Sequence, residues 1–327
     1  MNKYLVTGGS GYVGREVIQQ LLENGKDVTA LDLVPPDQAI PFVQVDLTDA
    51  EALEKAFQDK SFDCILHIAS LPGDTGNPQQ MVQVNVNGCL NMLELARRMG
   101  AKRYVQTSSI SAYEWYPATK FNPPDYMPVD ENHPLRPKDM YSSTKQIQEI
   151  LAMTYFHQYG VPTTVLRLTA VVGPHGRGGG RGYREMAEQI RQGTKVQIPH
   201  FSADELCHYV DVRDVARMQI VLSEHPNAVG EIFLCVGPRP VTGIEFVEII
   251  RKYKPGIQSD FGFPWSMAQG GQIAFTMEKA KRLLDFEPCY SLEDSIYSIV
   301  HWVESGGLEA EEKTSADRTY GQGVNQG

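Results

Sequence analysis

Cysteine is scarce and widely spaced. Cys64, Cys89, Cys207, Cys235 and Cys289 are the five in 327 residues, and no two form a CxxC pair. A disulfide framework or a zinc site is therefore not expected, and the thiols read as buried structural groups in a reducing, cytoplasmic setting. The eight histidines show neither HxxxH nor HExxH spacing, so no metal centre is expected. Positive charge is also in deficit: 30 Lys and Arg against 40 Asp and Glu give a formal net charge of −10. Such a surface repels phosphate polyanions and anionic lipid, which argues against nucleic acid and membrane partners. It leaves open an anionic small-molecule substrate held in a local basic pocket. No apolar run approaches the roughly 20 residues that span a bilayer. Met1 to Thr7 leads straight into a glycine motif, without the apolar stretch of a secretory leader.

What is present is enough for a substantial core: 42% hydrophobic residues in a chain this long suit one large α/β unit and a smaller one. Short apolar runs at 4–6, 27–33, 42–45, 64–68, 103–107 and 163–167 alternate with helical patterns at 12–24, 49–58, 81–99 and 141–159. That alternation predicts βαβ units and a Rossmann-type, doubly wound parallel sheet. Beyond Val172 the pattern loosens. Strands are expected at 208–212 and 231–235, and helices at 184–192, 243–253, 277–284 and 292–304. The division expected is a dinucleotide-binding unit over 1–172 with a returning segment near 208–236, a smaller C-terminal α/β substrate-binding unit over 173–304, and a disordered tail over 305–327.

Thr7-Gly8-Gly9-Ser10-Gly11-Tyr12-Val13-Gly14 lies between the first strand and the first helix. Gly8 permits the tight turn, Gly11 lets backbone approach a pyrophosphate, and Gly14 lets helix pack on strand. The helix N-terminus adds unpaired N–H groups and a positive dipole end. Asp32 follows at the end of the second strand, about 20 residues on, where a carboxylate accepts from a ribose 2′-hydroxyl and repels a 2′-phosphate. Leu33, Val34, Pro35 and Pro36 come next, with no Arg or Lys among them, so NAD is favoured over NADP. Asp46-Leu47 ends the third strand, where a carboxylate can reach the adenine amino group or simply remain a solvated loop acid.

Tyr141-Ser142-Ser143-Thr144-Lys145 places a phenol and an ammonium four residues apart on one helical face. A nearby ammonium is expected to lower the tyrosine from its usual value of about 10, which suits a base for hydroxyl oxidation. Thr107-Ser108-Ser109 ends the fifth strand, at the carboxyl edge where open α/β sheets bind ligands. Taken together, these motifs resemble the extended short-chain dehydrogenase/reductase family, the NAD-dependent epimerase/dehydratase group. The resemblance runs over about residues 3–303. It includes His67-Ile68-Ala69-Ser70 at the fourth strand end, Asn85 in the following helix, Tyr209 to Ala216, and Leu283 to Pro288.

The resemblance implies roles. Tyr141 is the acid/base, Ser109 (with Ser108 as the neighbour to be distinguished from it) hydrogen-bonds the reacting oxygen, and Lys145 also holds the nicotinamide ribose. The backbone of Tyr12 and Val13 caps the pyrophosphate; Ile68, Ala69, Ser70, Asn85 and Thr169 lie on the nicotinamide side. A homodimer through the helices at 81–99 and 141–159 is implied as well. Three departures bear on the substrate. Family dehydratases carry an Asp-Glu pair where this chain has Ile110 and Ser111. Members acting on nucleotide sugars carry an Asn and a diphosphate-binding Arg where it has Ala170 and Cys207.

The expected activity is NAD-dependent hydride transfer at a hydroxyl or carbonyl carbon of a small polar, sugar-like or hydroxy-acid substrate. An NAD-retaining sugar epimerase is the alternative, and a non-catalytic NAD sensor a third reading. The run 176–184, rich in Gly and Arg, reads either as a surface loop or as an anion-gripping lid. The aromatic stretch from Tyr113 to Tyr126 reads either as a pocket wall or as ordinary loop packing.

Overall fold

A computed structural model of the chain describes residues 1–73, 77–113, 124–175, 181–200, 202–261 and 273–310. The run 176–180, the aromatic stretch 114–123 and the tail 311–327 lie outside the described residues. Six early strands and one late strand form a single sheet. They are β1 (Lys3–Thr7), β2 (Asp27–Asp32), β3 (Phe42–Gln44), β4 (Cys64–His67), β5 (Arg103–Ser109), β6 (Thr163–Leu168) and β11 (Ile232–Cys235). Their order is β11-β6-β5-β4-β1-β2-β3, and every neighbouring pair is parallel. β1 and β4 through β6 are apolar or neutral along most of their length and buried on both faces, as a covered parallel sheet requires. The chain first builds outward from β1 to β3, then returns to β4 on the other side. A crevice therefore opens at the carboxyl ends of β1 and β4, the switch point where such sheets take ligands.

One face of the sheet is covered by α1 (Tyr12–Glu23) and α7 (Val212–Glu224), through Val17, Ile18, Leu21, Val215, Met218 and Leu222. The other face carries α2 (Ala50–Phe57), α4 (Gly88–Met99) and α5 (Met140–Tyr159), through Leu53, Phe57, Met92, Leu93 and Tyr155. A separate core joins β7 (Ala170–Val172), β8 (Val196–Ile198), β9 (Leu206–Cys207), β10 (Tyr209–Asp211) and β12 (Val241–Thr242) to α6 (Arg181–Gln192), α8 (Gly243–Tyr253) and α10 (Leu292–Glu304). No described helix is long and apolar enough to cross a membrane.

Three expectations are corrected. The long helix over 81–99 is interrupted: α3 (Pro78–Met81) runs into a π-helical segment, Val82–Asn87, before α4 begins. The strand expected over 208–212 ends at Asp211, whose carboxylate accepts from the Arg213 amide (2.8 Å) and caps a helix, α7, that the β-branched Val210-Asp211-Val212 start concealed. The chain after Ser305 is not wholly irregular. Residues 307–310 form a helical turn, and Leu308 is buried in the second core.

That second core contains a neutral histidine. His200 is fully buried, its Nε2 donates to the Val241 carbonyl (3.1 Å), and its Nδ1 faces the Tyr209 hydroxyl (3.2 Å). Burial pushes it down to about 4. Below about pH 6.5 the unfolded chain binds a proton that the folded chain refuses. The stability this group contributes is complete above that pH and is lost as pH falls toward 4. The loss reaches on the order of 3 kcal/mol at pH 4. The thermal midpoint of His200→Gln should therefore fall less steeply than wild type between pH 6.5 and 4.5; parallel slopes would show that His200 does not titrate on unfolding.

Candidate active site

The crevice is built first by glycine. Gly8 has a φ of +68° and donates to the Leu31 carbonyl (2.9 Å), and a Cβ on it would come within 2.9 Å of the Ala69 backbone. A Cβ on Gly14 would collide with the Gly8 carbonyl oxygen, so α1 can approach β1 this closely only without a side chain there. Gly11 is the N-cap of α1 and offers no capping side chain. The first-turn amides therefore face the crevice mouth, where a pyrophosphate can take them. Tyr12 is buried and its hydroxyl donates to the Gly173 carbonyl (3.0 Å), while Val13 is half-buried.

Thr7 closes the floor. Its hydroxyl accepts from the amides of Ile68 (3.1 Å) and Ala69 (3.2 Å) and lies 2.8 Å from His67 Nδ1. With both lone pairs used, the hydroxyl proton goes to Nδ1, which leaves the neutral ring protonated at Nε2. Burial drives His67 down to about 3, with the Lys145 charge acting in the same direction. Ser70 follows on the same strand end. Asn85, in the π-helical segment, is fully buried: its Oδ1 accepts from the Leu71 amide (2.8 Å) and its Nδ2 donates to Thr144 Oγ1 (3.0 Å). Thr169 donates through its amide to the Cys235 carbonyl (3.2 Å).

The Asp32 carboxylate accepts from the amides of Ser10 (3.0 Å) and Leu33 (2.7 Å), so the acid is fixed at the tip of β2. Arg15, in the first turn of α1, is ion-paired with Asp37. Asp46 is exposed, and its Oδ1 accepts from both the amide and the hydroxyl of Thr48 (2.8 Å each), an Asx turn that shapes the loop. Leu47 is buried beneath it.

Ser109 and Tyr141 are hydrogen-bonded to each other, and the Ser111 amide and hydroxyl donate to Ser109 Oγ (3.1 and 3.0 Å). Lys145 is buried, donates to the Thr107 carbonyl (3.1 Å), and holds its ammonium 5.7 Å from the Tyr141 ring centre. The expected lowering of the phenol is not what the structure shows. Loss of water around the hydroxyl pushes Tyr141 up to about 12, against the hydrogen bond from Ser109, because desolvation of a phenolate outweighs one neutral donor. Burial also brings Lys145 down to about 8.

β5 extends two residues further than the sequence pattern suggests, so Ser108 and Ser109 alternate across the sheet. Ser109 meets Tyr141, whereas Ser108 donates to Glu149 Oε1 (2.5 Å). Tyr113, a phenol just past the end of β5, is buried, donates to the Asp130 carbonyl (2.9 Å) and accepts from Arg167 Nη1 (2.8 Å), so it is committed elsewhere. Sequence reasoning named Thr7 only as the head of the glycine motif and missed Glu149 and Arg167; Glu149, two turns after Tyr141 on the same face of α5, was the available signal. No cluster of metal-ligating side chains occurs among the described residues.

Residues 4–235 match the family described as the NAD-dependent epimerase/dehydratase family. The chain belongs to that family. NAD is its cofactor, and the glycine cradle, open helix terminus and fixed Asp32 fit that group. Over its length the chain is 28% identical to the UDP-glucuronate 4-epimerase of Thermodesulfobacterium geofontis, covering 92% of this chain and 96% of that one. It is 25% identical to UDP-glucuronic acid decarboxylase 1 of Xenopus tropicalis, covering 92% of this chain and 72% of that one. Two solved structures share the fold. An epimerase from Methanothermobacter thermautotrophicus has a TM-score of 0.81 at 23% identity, covering 95% of each chain. The Thermotoga maritima UDP-glucose 4-epimerase solved with UDP-glucose has a TM-score of 0.80 at 24% identity, covering 93% of this chain and 99% of that one.

The fixed carboxylate at β2 sets a test of cofactor choice. Asp32→Asn keeps an acceptor for the Ser10 amide but loses the charge. NAD affinity should fall about tenfold, the worth of one charge-assisted hydrogen bond, and NADP should bind better than it does to wild type. Calorimetric titration with both cofactors measures this, and equal affinities in the wild-type protein would refute the role given to Asp32.

Proposed function

We propose that this enzyme moves a hydride between NAD and a hydroxyl-bearing carbon of a sugar-like substrate, with Tyr141, Ser109 and Lys145 as the reacting set. The observation that carries this is the Ser109–Tyr141 hydrogen bond at the carboxyl edge, with Lys145 one turn further along α5. NAD, when bound, supplies the hydride acceptor. Tyr141 takes the hydroxyl proton as the carbon becomes a carbonyl, and returns it in the reverse direction. Ser109 donates to the same oxygen. The Lys145 ammonium stabilises the phenolate that burial alone disfavours, and holds the nicotinamide ribose. The glycine-rich turn with the Tyr12 and Val13 backbone takes the pyrophosphate. Asp32 takes the ribose and Asp46-Leu47 flanks the adenine. Ile68, Ala69, Ser70, Asn85 and Thr169 line the nicotinamide side, and the second core bears the substrate.

Two positions favour a small sugar without a nucleotide. Ala170 and Cys207 stand where the family resemblance puts diphosphate-site residues, and both are buried in the apolar second core, with exposures of 6% and 1%. Neither supplies a charge. A second reading, epimerisation of a UDP-sugar with retained NAD, is favoured by the names of the relatives. A panel of aldoses, uronates, polyols and UDP-sugars with NAD, followed at the NADH absorbance band and by product analysis, separates the two. Net absorbance growth supports dehydrogenation; product without it supports epimerisation. Tyr141→Phe should cut turnover by 10²- to 10⁴-fold with NAD affinity nearly unchanged; full activity in that variant would remove the mechanism. Micromolar binding of UDP-glucose by calorimetry would overturn the exclusion of nucleotide sugars.

Leu90 of α4 and Ile147 and Ile150 of α5 are exposed apolar side chains on two helices that pack side by side. We propose that they form a homodimer face. Ile150→Glu should shift the protein to monomer in sedimentation velocity; a monomeric wild type would dismiss the dimer.

A further inference from the structure

Beneath the reacting set lies a buried charge box that the proposed chemistry does not use. The inference drawn from it rests on the role given above to Lys145. Glu149 follows Lys145 by one turn and Tyr141 by two, so the three share one stripe of α5. Both Glu149 and Lys145 are buried, each with 3% exposure. Two buried, opposite charges at this spacing would ordinarily pair, yet the carboxylate is taken by other donors. Arg167 on β6 gives Nε to Oε1 (2.9 Å) and Oε2 (3.2 Å) and Nη2 to Oε2 (2.8 Å), and Ser108 adds its hydroxyl to Oε1. The strand register makes this possible by setting Ser108 directly opposite Arg167. Arg167 is itself fixed by Nη1 contacts to the Tyr113 hydroxyl (2.8 Å) and the Glu131 carbonyl (2.9 Å).

We infer that Arg167 is a positioning residue: by occupying Glu149 with Ser108, it keeps that carboxylate from capturing Lys145, and so leaves the ammonium available to the Tyr141 phenol and the nicotinamide ribose. The groups that face Lys145 are Tyr141 and Glu149 on α5, Cys89 on α4, His67 on β4 and the Thr107 carbonyl on β5. Those that face Glu149 are Lys145, Ser108, Arg167 and Tyr113, with the Glu131 carboxylate beyond Tyr113. Glu149 is therefore the carboxylate among the groups facing Lys145, and Arg167 the cation that competes for it. The guanidinium suits the task because it stays charged at every working pH and fits a carboxylate with two parallel bonds.

The test reads Lys145 directly and needs no substrate. Protein labelled with ¹³Cε-lysine is titrated by NMR, with the Lys145 signal assigned through Lys145→Ala, and NAD binding is measured by calorimetry. In Arg167→Met the freed carboxylate should pair with Lys145. Its titration should move to higher pH by at least one unit, and NAD affinity should fall about tenfold. In Glu149→Gln the charge balance reverses, and Lys145 should titrate at lower pH than in wild type. The double variant, Arg167→Met with Glu149→Gln, should recover most of the NAD affinity lost in Arg167→Met. An unmoved Lys145 titration in Glu149→Gln overturns the inference even if Arg167→Met does not fold, and so does a double variant as weak for NAD as the single. Tyr141→Phe fully active on a substrate from the sugar panel would remove the catalytic reading while leaving these titrations to stand or fall on their own.

Discussion

The register of β5 on β6 is the constraint from which the site follows. Parallel pairing sets Ser108 beside Arg167 and Ser109 beside Leu168, and strand alternation then turns the two serine hydroxyls to different partners on α5, Glu149 and Tyr141. A slip of one residue would bring Thr107 or Ser109 to the place of Ser108 and break both contacts together. The pairing is secured from several sides. The β5 strand lies between β4 and β6, α5 lies across both β5 and β6, and β11 closes the far side of β6. The two serines are thus held on an inner strand of the sheet.

α5 shows what this arrangement costs the helix. Its buried face carries Ser142, Thr144, Lys145, Gln148 and Glu149 before the first buried hydrophobic residues, Ala152 and Tyr155. Ser142 bonds the N-cap of its own helix, and the other four have a partner fixed by another element, Lys145 through the Thr107 carbonyl. Ser142 meets Asp139, Thr144 meets Asn85, Gln148 donates to the Asn85 carbonyl (2.6 Å), and Glu149 meets Arg167. A helix docked by hydrogen bonds has a narrower choice of positions than one docked by apolar contact, since a buried donor displaced from its acceptor loses the bond without gaining water. For a helix that bears a reacting phenol, that restriction is useful.

What the sequence revealed and what it concealed divide along the same line. The glycine turn, Asp32 and the Tyr141/Lys145 pair were legible because each is a local spacing with a direct geometric meaning. The partners of Glu149 were not, because Ser108 stands 41 residues before it and Arg167 stands 18 after. Nothing in local periodicity links them. α7 was hidden differently: its first turn shares β-branched residues with the strand before it, and a single capping carboxylate, Asp211, separates the two. The direction of the Tyr141 shift was misjudged because the enclosure of the hydroxyl is a property of the folded site, absent from any four-residue motif.

The widened turn at Val82–Asn87 has an effect on phase. Each residue of an α-helix advances the direction of its side chains by about 100°, so the surplus residue in this segment turns all of α4 by that angle against α3. Asn85 can then face inward, bracing the loop after β4 through Leu71, while Cys89, Met92, Leu93 and Ala96 still fall on the sheet. Without the surplus residue, the two demands would compete for one face. The segment works as a splice between two helical registers, one answering to the crevice and the other to the core.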